Sequence, residues 1–365
     1  MSEREQIPAG ALDTGIEQMP SVKVTRRRLV MFALFVVVIV AFMYLGLPKL
    51  VGFGASFKRL EHGDASWLIA AAILEALSFY SNVAMFRAVC VDQAPRINYG
   101  VSYQITLAGL VATRVLSAGG AGGIAVTAWA LRRAGMARQA VATRMVAYMA
   151  LLYGIYMLAL LVDGLGLYLH LWPGQAPFVL TVVPAIIGAC AISLFLLISL
   201  LPADFARAVQ RRAAGHGLLG RLARRLATVP ESAASGIRTA ILLVRRHRPG
   251  LLGSLTYWGF DIATLWACFH AFGYSPQPAV IVMAYFVGWL ANLLPIPGGL
   301  GGVEGGLIGS FTAFGVSVQG AVVAVLAYRA FSFWLPILPG AGAYFQLRKT
   351  VHRWRSEDAA TTYTL

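Results

Sequence analysis

The stretch Asn292-Leu-Leu-Pro-Ile-Pro-Gly-Gly-Leu-Gly-Gly-Val-Glu304 interrupts an apolar run that otherwise reads as a membrane span. Proline removes a backbone donor and glycine weakens a helix, so these residues cannot continue one. Hydrocarbon offers no water to the freed backbone groups, and such a break survives only against other protein or a polar cavity. Glu304 then puts an ionisable group just inside the next apolar segment, where a charge marks a candidate functional site.

Composition sets the class. The chain is 58% hydrophobic and 12% charged, with mean hydropathy +0.71, which places it among integral membrane proteins. Residues 29–47 carry no charge and are long enough to cross a bilayer core at about 1.5 Å per residue. Arg26, Arg27 and Arg28 precede them. No small-residue cleavage site follows, so the segment reads as a signal-anchor. Further apolar blocks lie at about 66–88, 100–117, 141–169, 177–201, 250–272, 278–295 and 319–347. Cys90, Cys190 and Cys268 all lie in or beside these blocks and read as buried apolar filler, with no disulfide or metal spacing.

The net charge of +15 is concentrated where a membrane protein carries it. Arginines 207, 211, 212, 221, 224, 225, 238, 245, 246 and 248 crowd one segment beside only Asp204 and Glu231. That pattern predicts a cytoplasmic amphipathic segment on anionic lipid and argues against nucleic acid. The positive-inside rule also wants Arg348, Lys349, Arg353 and Arg355 in the cytoplasm. About eight full spans leave the basic loop and the C-terminus on opposite sides. The conflict vanishes if two short Gly-led segments, 118–132 and 297–314, also traverse as half-helices shielded by neighbours.

These two segments resemble each other. Gly119-Gly-Ala-Gly-Gly123 aligns with Gly298-Gly-Leu-Gly-Gly302. With one residue inserted, Gly135 meets Gly315, Gln139 meets Gln319, and Val146-Ala-Tyr148 meets Leu326-Ala-Tyr328. The expected fold is therefore an all-α integral membrane protein with about eight full transmembrane helices, two Gly/Pro-broken half-helix segments and an inverted repeat. The expected organisation is a disordered cytoplasmic tail (1–25), a first membrane half (26–201), a basic cytoplasmic amphipathic loop (202–249), a second membrane half (250–347) and a cytoplasmic tail (348–365).

The second unit, from Leu294-Pro-Ile-Pro-Gly-Gly-Leu-Gly-Gly-Val-Glu304 through Gly315 to Ala327-Tyr-Arg-Ala-Phe-Ser-Phe-Trp-Leu-Pro336, resembles the signature of the flippase-like membrane family. That family includes the transmembrane region of lysylphosphatidylglycerol synthase. The resemblance implies a bacterial inner-membrane protein that moves a phospholipid or polyprenyl-linked lipid between leaflets. It maps the family's recurring positions onto Pro295, Pro297, Gly298, Gly299, Gly301, Glu304, Gly315 and Arg329. The first unit departs from the pattern, with Ser117-Ala118 where a proline is usual. Only a short tail follows Leu347, so the soluble aminoacyl-transferring domain of the full synthases is expected to be absent.

A lipid phosphate needs donors and positive charge. Half-helix N-termini supply N–H groups, and glycines let the backbone approach closely. Arg114, Arg144 and Arg329 carry guanidinium groups suited to bidentate phosphate contact. The candidate substrate-binding residues are therefore Arg114, Gly119, Gly120, Gly122, Gly123, Arg144, Asn292, Pro295, Pro297, Gly298, Gly299, Gly301, Gly302, Glu304 and Arg329, with Glu75 and Asp261 as secondary candidates. The glycine runs can equally serve tight helix packing. Glu304 keeps three readings: stabilisation by the half-helix it opens, a bridge to Arg329, or a titrating proton-coupling group. Asp163 reads as an interfacial residue. No catalytic constellation, metal site or P-loop is visible, and no cofactor is expected. Expected partners are membrane lipids with an anionic headgroup or a polyprenyl phosphate, and an envelope-synthesis enzyme. The alternatives are a membrane-embedded transferase or its accessory subunit, and an ion-coupled small-solute transporter.

Overall fold

The computed structural model describes residues 63–91, 96–116, 121–200, 233–246, 249–293 and 299–363. The expected first span at 29–47, most of the basic loop, Gly119, Gly120, Pro295, Pro297 and Gly298 lie outside them. Among the described residues the regular structure is entirely helical. In chain order the helices are α1 (Ala65–Cys90), α2 (Tyr99–Leu116), α3 (Ala121–Arg133), α4 (Arg138–Tyr168), α5 (Phe178–Leu200), α6 (233–245), α7 (Leu252–Ala271), α8 (Pro278–Trp289), α9 (Gly302–Ala313), α10 (Val318–Arg329) and α11 (Ile337–Tyr363). Four stretches are long and apolar enough to cross a membrane by length and composition: α1, α4, α5 and the continuous run Val318–Asp358. The 278–295 block is shorter than expected, because α8 gives way to a 3₁₀ turn at Leu290–Leu293 before the Pro/Gly stretch.

Polarity is distributed inside-out, as lipid requires. On α1 the large apolar side chains Ile69, Ile73 and Leu77 are exposed, while Glu75, Ser78, Ser81 and Asn82 are buried. Their spacing follows the helical period, so the polar stripe turns inward. The α5 helix exposes Val179, Ile186, Leu194 and Leu197 and stands at the periphery against α4. That contact is close because Gly188 lies on the Met157 carbonyl and Gly164 on the Thr181 carbonyl.

Helices α1 and α7 form an antiparallel pair with a legible register. The Asp64 amide donates to the Ala271 carbonyl at 2.9 Å. Ser78 donates to the Tyr257 carbonyl at 3.0 Å. At the far end, Gly253 lies on the Ser81 carbonyl, with no room for a Cβ. Around this pair, α2–α3 and α8–α9 fold as helical hairpins, α2 packs on α11, and α8 packs on α4. Each hairpin crosses at glycine. Gly109 faces Gly123, and the Gly288 carbonyl lies 2.6 Å from where a Gly306 Cβ would stand. The packing reading of these glycines therefore holds at Gly123, whose Cβ would meet the Gly109 carbonyl at 2.6 Å.

Both half-helices end alike. Gly135 (φ 96°) and Gly315 (φ 84°) take the left-handed conformation that glycine tolerates. The Met136 amide donates to the Leu131 carbonyl and the Val316 amide to the Phe311 carbonyl, each at the position that closes a Schellman cap.

One expectation is corrected here. Cys190 is exposed on the outer face of α5, while Cys90 and Cys268 are buried. Asp163 is buried, with Trp172 beside it. In the described part of the basic segment, α6 buries Ala234, Ile237, Ala240 and Leu243, and Gly236 packs on Val146 of α4. That helix lays its apolar face on protein.

Candidate functional site

A cavity of about 310 Å³ opens between the two hydrophobic clusters of the bundle. Its wall takes residues from both hairpins and from the helices flanking them. Arg114 comes from α2, Gly123 from α3, Tyr148 from α4, Tyr257 and Trp258 from α7, Asn292 and Gly299 from the interrupted stretch, and Arg329 from the end of α10. No acidic residue is among the described residues that line it.

Arg329 is 3% exposed and donates through Nε to Glu304 Oε1 at 2.7 Å. The other carboxylate oxygen, Oε2, accepts the Gly301 amide at 2.7 Å. Glu304 is the third residue of α9, and Gly301, at φ 81°, is its N-cap. The carboxylate therefore caps the half-helix and pairs with the arginine at once, joining two of its three expected roles. One consequence corrects the sequence reading: this N–H is already used and is not free for a ligand.

The chain after Arg329 does not continue as a regular α-helix. Ala330–Trp334 is a π-turn, closed by the Leu335 amide on the Ala330 carbonyl at 2.9 Å. Pro336 supplies no N–H to the next register, and carbonyls in the turn are left for other donors. Arg114 takes them, with Nη1 donating to the Phe333 carbonyl at 2.7 Å and Nη2 to the Ser332 carbonyl at 2.5 Å. Two guanidinium groups approach the Phe333 ring, with Cζ of Arg114 at 4.9 Å and Cζ of Arg329 at 4.5 Å from its centroid. Each cation–π contact stabilises by about 0.5–2 kcal/mol. Arg329 Nη2 is buried without a hydrogen-bond partner among the described residues.

The cavity thus gathers five of the expected residues: Arg114, Gly123, Asn292, Gly299 and Arg329. Asn292 and Gly299 belong together, since Gly299 (φ 65°) leaves room for the Asn292 amide where a Cβ would stand 2.7 Å from its Oδ1. Gly301, Gly302 and Glu304 lie behind Arg329 as its support, and Gly122 does not line the wall. Arg144 is elsewhere, because its Nη1 donates to the Val89 carbonyl at 2.9 Å near the end of α1. It closes a helix terminus there and contributes nothing to the cavity. Sequence reasoning missed Phe333, although it stands inside the quoted motif, and missed the bond from the Tyr148 hydroxyl to Asn82 Oδ1.

The Lysylphosphatidylglycerol synthase TM region family matches residues 27–340. The chain belongs to that family. Two archaeal relatives, each a UPF0104 membrane protein of Methanothermobacter thermautotrophicus, are similar over shorter stretches. One is 37% identical over 118 residues, covering 32% of this chain and 34% of the relative. The other is 32% identical over 95 residues, covering 26% and 28%. The aligned part thus spans about a third of the length of these curated relatives. Family and apolar helices together make the chain a membrane protein, and the cavity described above is built within the residues that the family covers.

Proposed function

We propose that this protein is a non-enzymatic lipid translocase that moves a phospholipid or polyprenyl-linked lipid between leaflets of the inner membrane, with the cavity as its headgroup site. One observation carries the reading. Two guanidinium groups share the Phe333 ring on the wall of a cavity within the helical bundle, and Glu304 alone forms an ion pair with either of them among the described residues. Guanidinium groups on a wall that no described acidic residue lines attract an anion into the cavity. A lipid phosphate matches that charge and the planar donor geometry of arginine.

An inverted repeat supports the reading, because such repeats in transporters join broken helices at a midplane site. The alignment that sets Gly119 over Gly298 also sets Gly109 over Gly288 and Asn82 over Asp261. Gly109 and Gly288 are the glycines at the two hairpin crossings. Tyr148 donates to Asn82, while Tyr328, its counterpart, lies beside Asp261. Helices α1 and α7, which lead the two units, run antiparallel, as inversion requires.

The test uses purified protein in vesicles carrying labelled phosphatidylglycerol or labelled polyprenyl phosphate in one leaflet. Leaflet-resolved quenching should show faster exchange of one of them than in protein-free vesicles, with a neutral-headgroup lipid left behind. Equal exchange of all three lipids, or none above background, overturns the proposal.

In this reading the termini and the basic loop face the cytoplasm, from their shared excess of arginine. A cysteine introduced at Gly217 should react with an impermeant thiol reagent only after permeabilisation. Labelling in intact cells would reverse the topology and remove the inverted repeat.

A further inference from the structure

A second buried constellation lies beside the cavity and is used by nothing above. Glu75 on α1 and Asp261 on α7 are 3% and 4% exposed. The α1–α7 register sets them at one level, between the Ser78–Tyr257 bond and the contact of Thr264 with the Ala71 carbonyl. Their carboxyl groups interact directly. Glu75 Oε2 and Asp261 Oδ1 each lack a hydrogen-bond donor among the described residues. The Tyr285 hydroxyl donates to Asp261 Oδ2.

Two buried carboxylates in contact cannot both stay ionised without a cation, and no salt bridge reaches either among the described residues. One proton held between them satisfies both orphan oxygens and leaves the pair with a single negative charge. We propose that Glu75 and Asp261 form a shared-proton site, and that its occupancy sets the affinity of the adjoining cavity for an anionic phosphate group.

The coupling runs through charge. The titratable and charged groups that face the pair are Tyr257 and Cys268 of α7, Tyr285 of α8, Tyr328 of α10 and Arg114 of α2. Arg114 is the one whose field acts on both carboxyl groups, and it also lines the cavity. When the proton leaves, the second carboxylate competes with an incoming phosphate for that field. When the proton returns, the field is released to the phosphate. Linkage is reciprocal, so phosphate binding must in turn draw a proton onto the pair.

The related pair is neutral. The alignment that sets Asn82 over Asp261 sets Glu75 over Ser254, so Asn82 and Ser254 are the counterparts of Asp261 and Glu75, and Ser254 donates to the Leu151 carbonyl at 2.7 Å. Each unit gives one residue to each pair, and a requirement of packing alone would not make both members of one pair acidic and both members of the other neutral. Glu304 is unsuited to the role, since both of its carboxyl oxygens already have partners, Oε1 in Arg329 Nε and Oε2 in the Gly301 amide.

This inference rests on the headgroup reading only for its coupling to phosphate, and the test separates the two. Infrared spectra of the wild type in vesicles at neutral pH should contain a deuterium-sensitive protonated-carboxyl band. The Glu75→Gln/Asp261→Asn double variant, which keeps shape and hydrogen bonding, should lose it. Absence of the band in the wild type, or its full retention in the variant, overturns the shared proton whether or not the protein moves lipid. Should the double variant fail to fold, the single variants Glu75→Gln and Asp261→Asn decide, since each should remove or shift the band and its full retention in both overturns the shared proton.

The coupling is read by calorimetry with short-chain phosphatidylglycerol and, separately, inorganic phosphate, in buffers of different ionisation enthalpy. Wild-type binding should take up protons, with affinity falling by up to about tenfold per pH unit across the titration of the pair. The double variant should bind without that dependence. Response to the lipid alone assigns the site to a headgroup, and response to both probes assigns it to phosphate as such. Binding without proton uptake overturns the coupling. Failure of both probes to bind removes the coupling together with the translocase reading, while the infrared band still reports on the pair.

Discussion

Arg329→Ala and Glu304→Ala are each expected to abolish lipid exchange and to destabilise the protein by about 3–5 kcal/mol, the range for breaking a buried ion pair from one side. The reason is asymmetric. Both side chains are 3% exposed, and the 2.7 Å contact compensates each charge with the other. Removing Arg329 leaves Glu304 with only the Gly301 amide. Removing Glu304 uncaps α9 and frees a second guanidinium to repel Arg114 beside Phe333. The double variant Glu304→Ala/Arg329→Ala removes both charges and should be more stable than the sum of the single losses. A coupling energy of about 0.5–3 kcal/mol is the range expected for residues in direct contact. Thermal unfolding in detergent, read as a double-mutant cycle, measures it. Additive losses would mean that the pair contributes nothing as a pair. Arg329→Lys discriminates further, because an ammonium can keep the ion pair yet lacks the planar fork. Retained stability with lost exchange is the outcome that a phosphate-gripping role requires.

The second large effect is expected at Arg114. Its guanidinium donates to the Ser332 and Phe333 carbonyls of the π-turn while facing the cavity. Arg114→Met leaves both carbonyls without that donor, at about 1–3 kcal/mol each. It also removes half of the positive charge that defines the site. Exchange should fall by two orders of magnitude or more, on the scale of about 1.4 kcal/mol per tenfold. Arg114→Lys can satisfy one carbonyl and keeps the charge, so it should recover stability in part and exchange less. Leaflet-resolved exchange beside the unfolding midpoint decides the matter. Loss of stability with unchanged exchange in Arg114→Met would reduce Arg114 to a clamp on the turn and would remove it from the headgroup site.

Much of this was legible in the chain because the signals are local. Proline and glycine at 295–302 forbid a continuous helix wherever they stand, and the half-helix Gly302–Ala313 follows as expected. The first Gly-led segment, 118–132, gave α3, and the matched glycines Gly135 and Gly315 turned out to terminate both half-helices with the same cap. The pairing of Glu304 with Arg329 was also readable. An ionised group in lipid needs a partner, and these two stand in adjacent helices of one hairpin.

The remainder depended on register between helices distant in sequence. Arg114 and Arg144 look equivalent as isolated arginines in apolar runs, yet one reaches a π-turn on the cavity wall and the other a carbonyl at the end of α1. Both acceptors are backbone oxygens, which carry no residue-type signature. The burial of Asp163 was hidden for the same reason: its distance from a helix end was visible, while Trp172 beside it was not. The sequence alone determined a helical membrane protein interrupted at Gly and Pro, with Glu304 as a charge that must be compensated and Arg329 as one candidate for it, because backbone satisfaction and charge in lipid are constraints each segment must meet by itself. Only the tertiary structure decided that Arg114 shares Phe333 with Arg329 and that Glu75 meets Asp261. Those contacts follow from how α1 slides on α7 and α2 on α11, a relation set by close glycine contacts across helices.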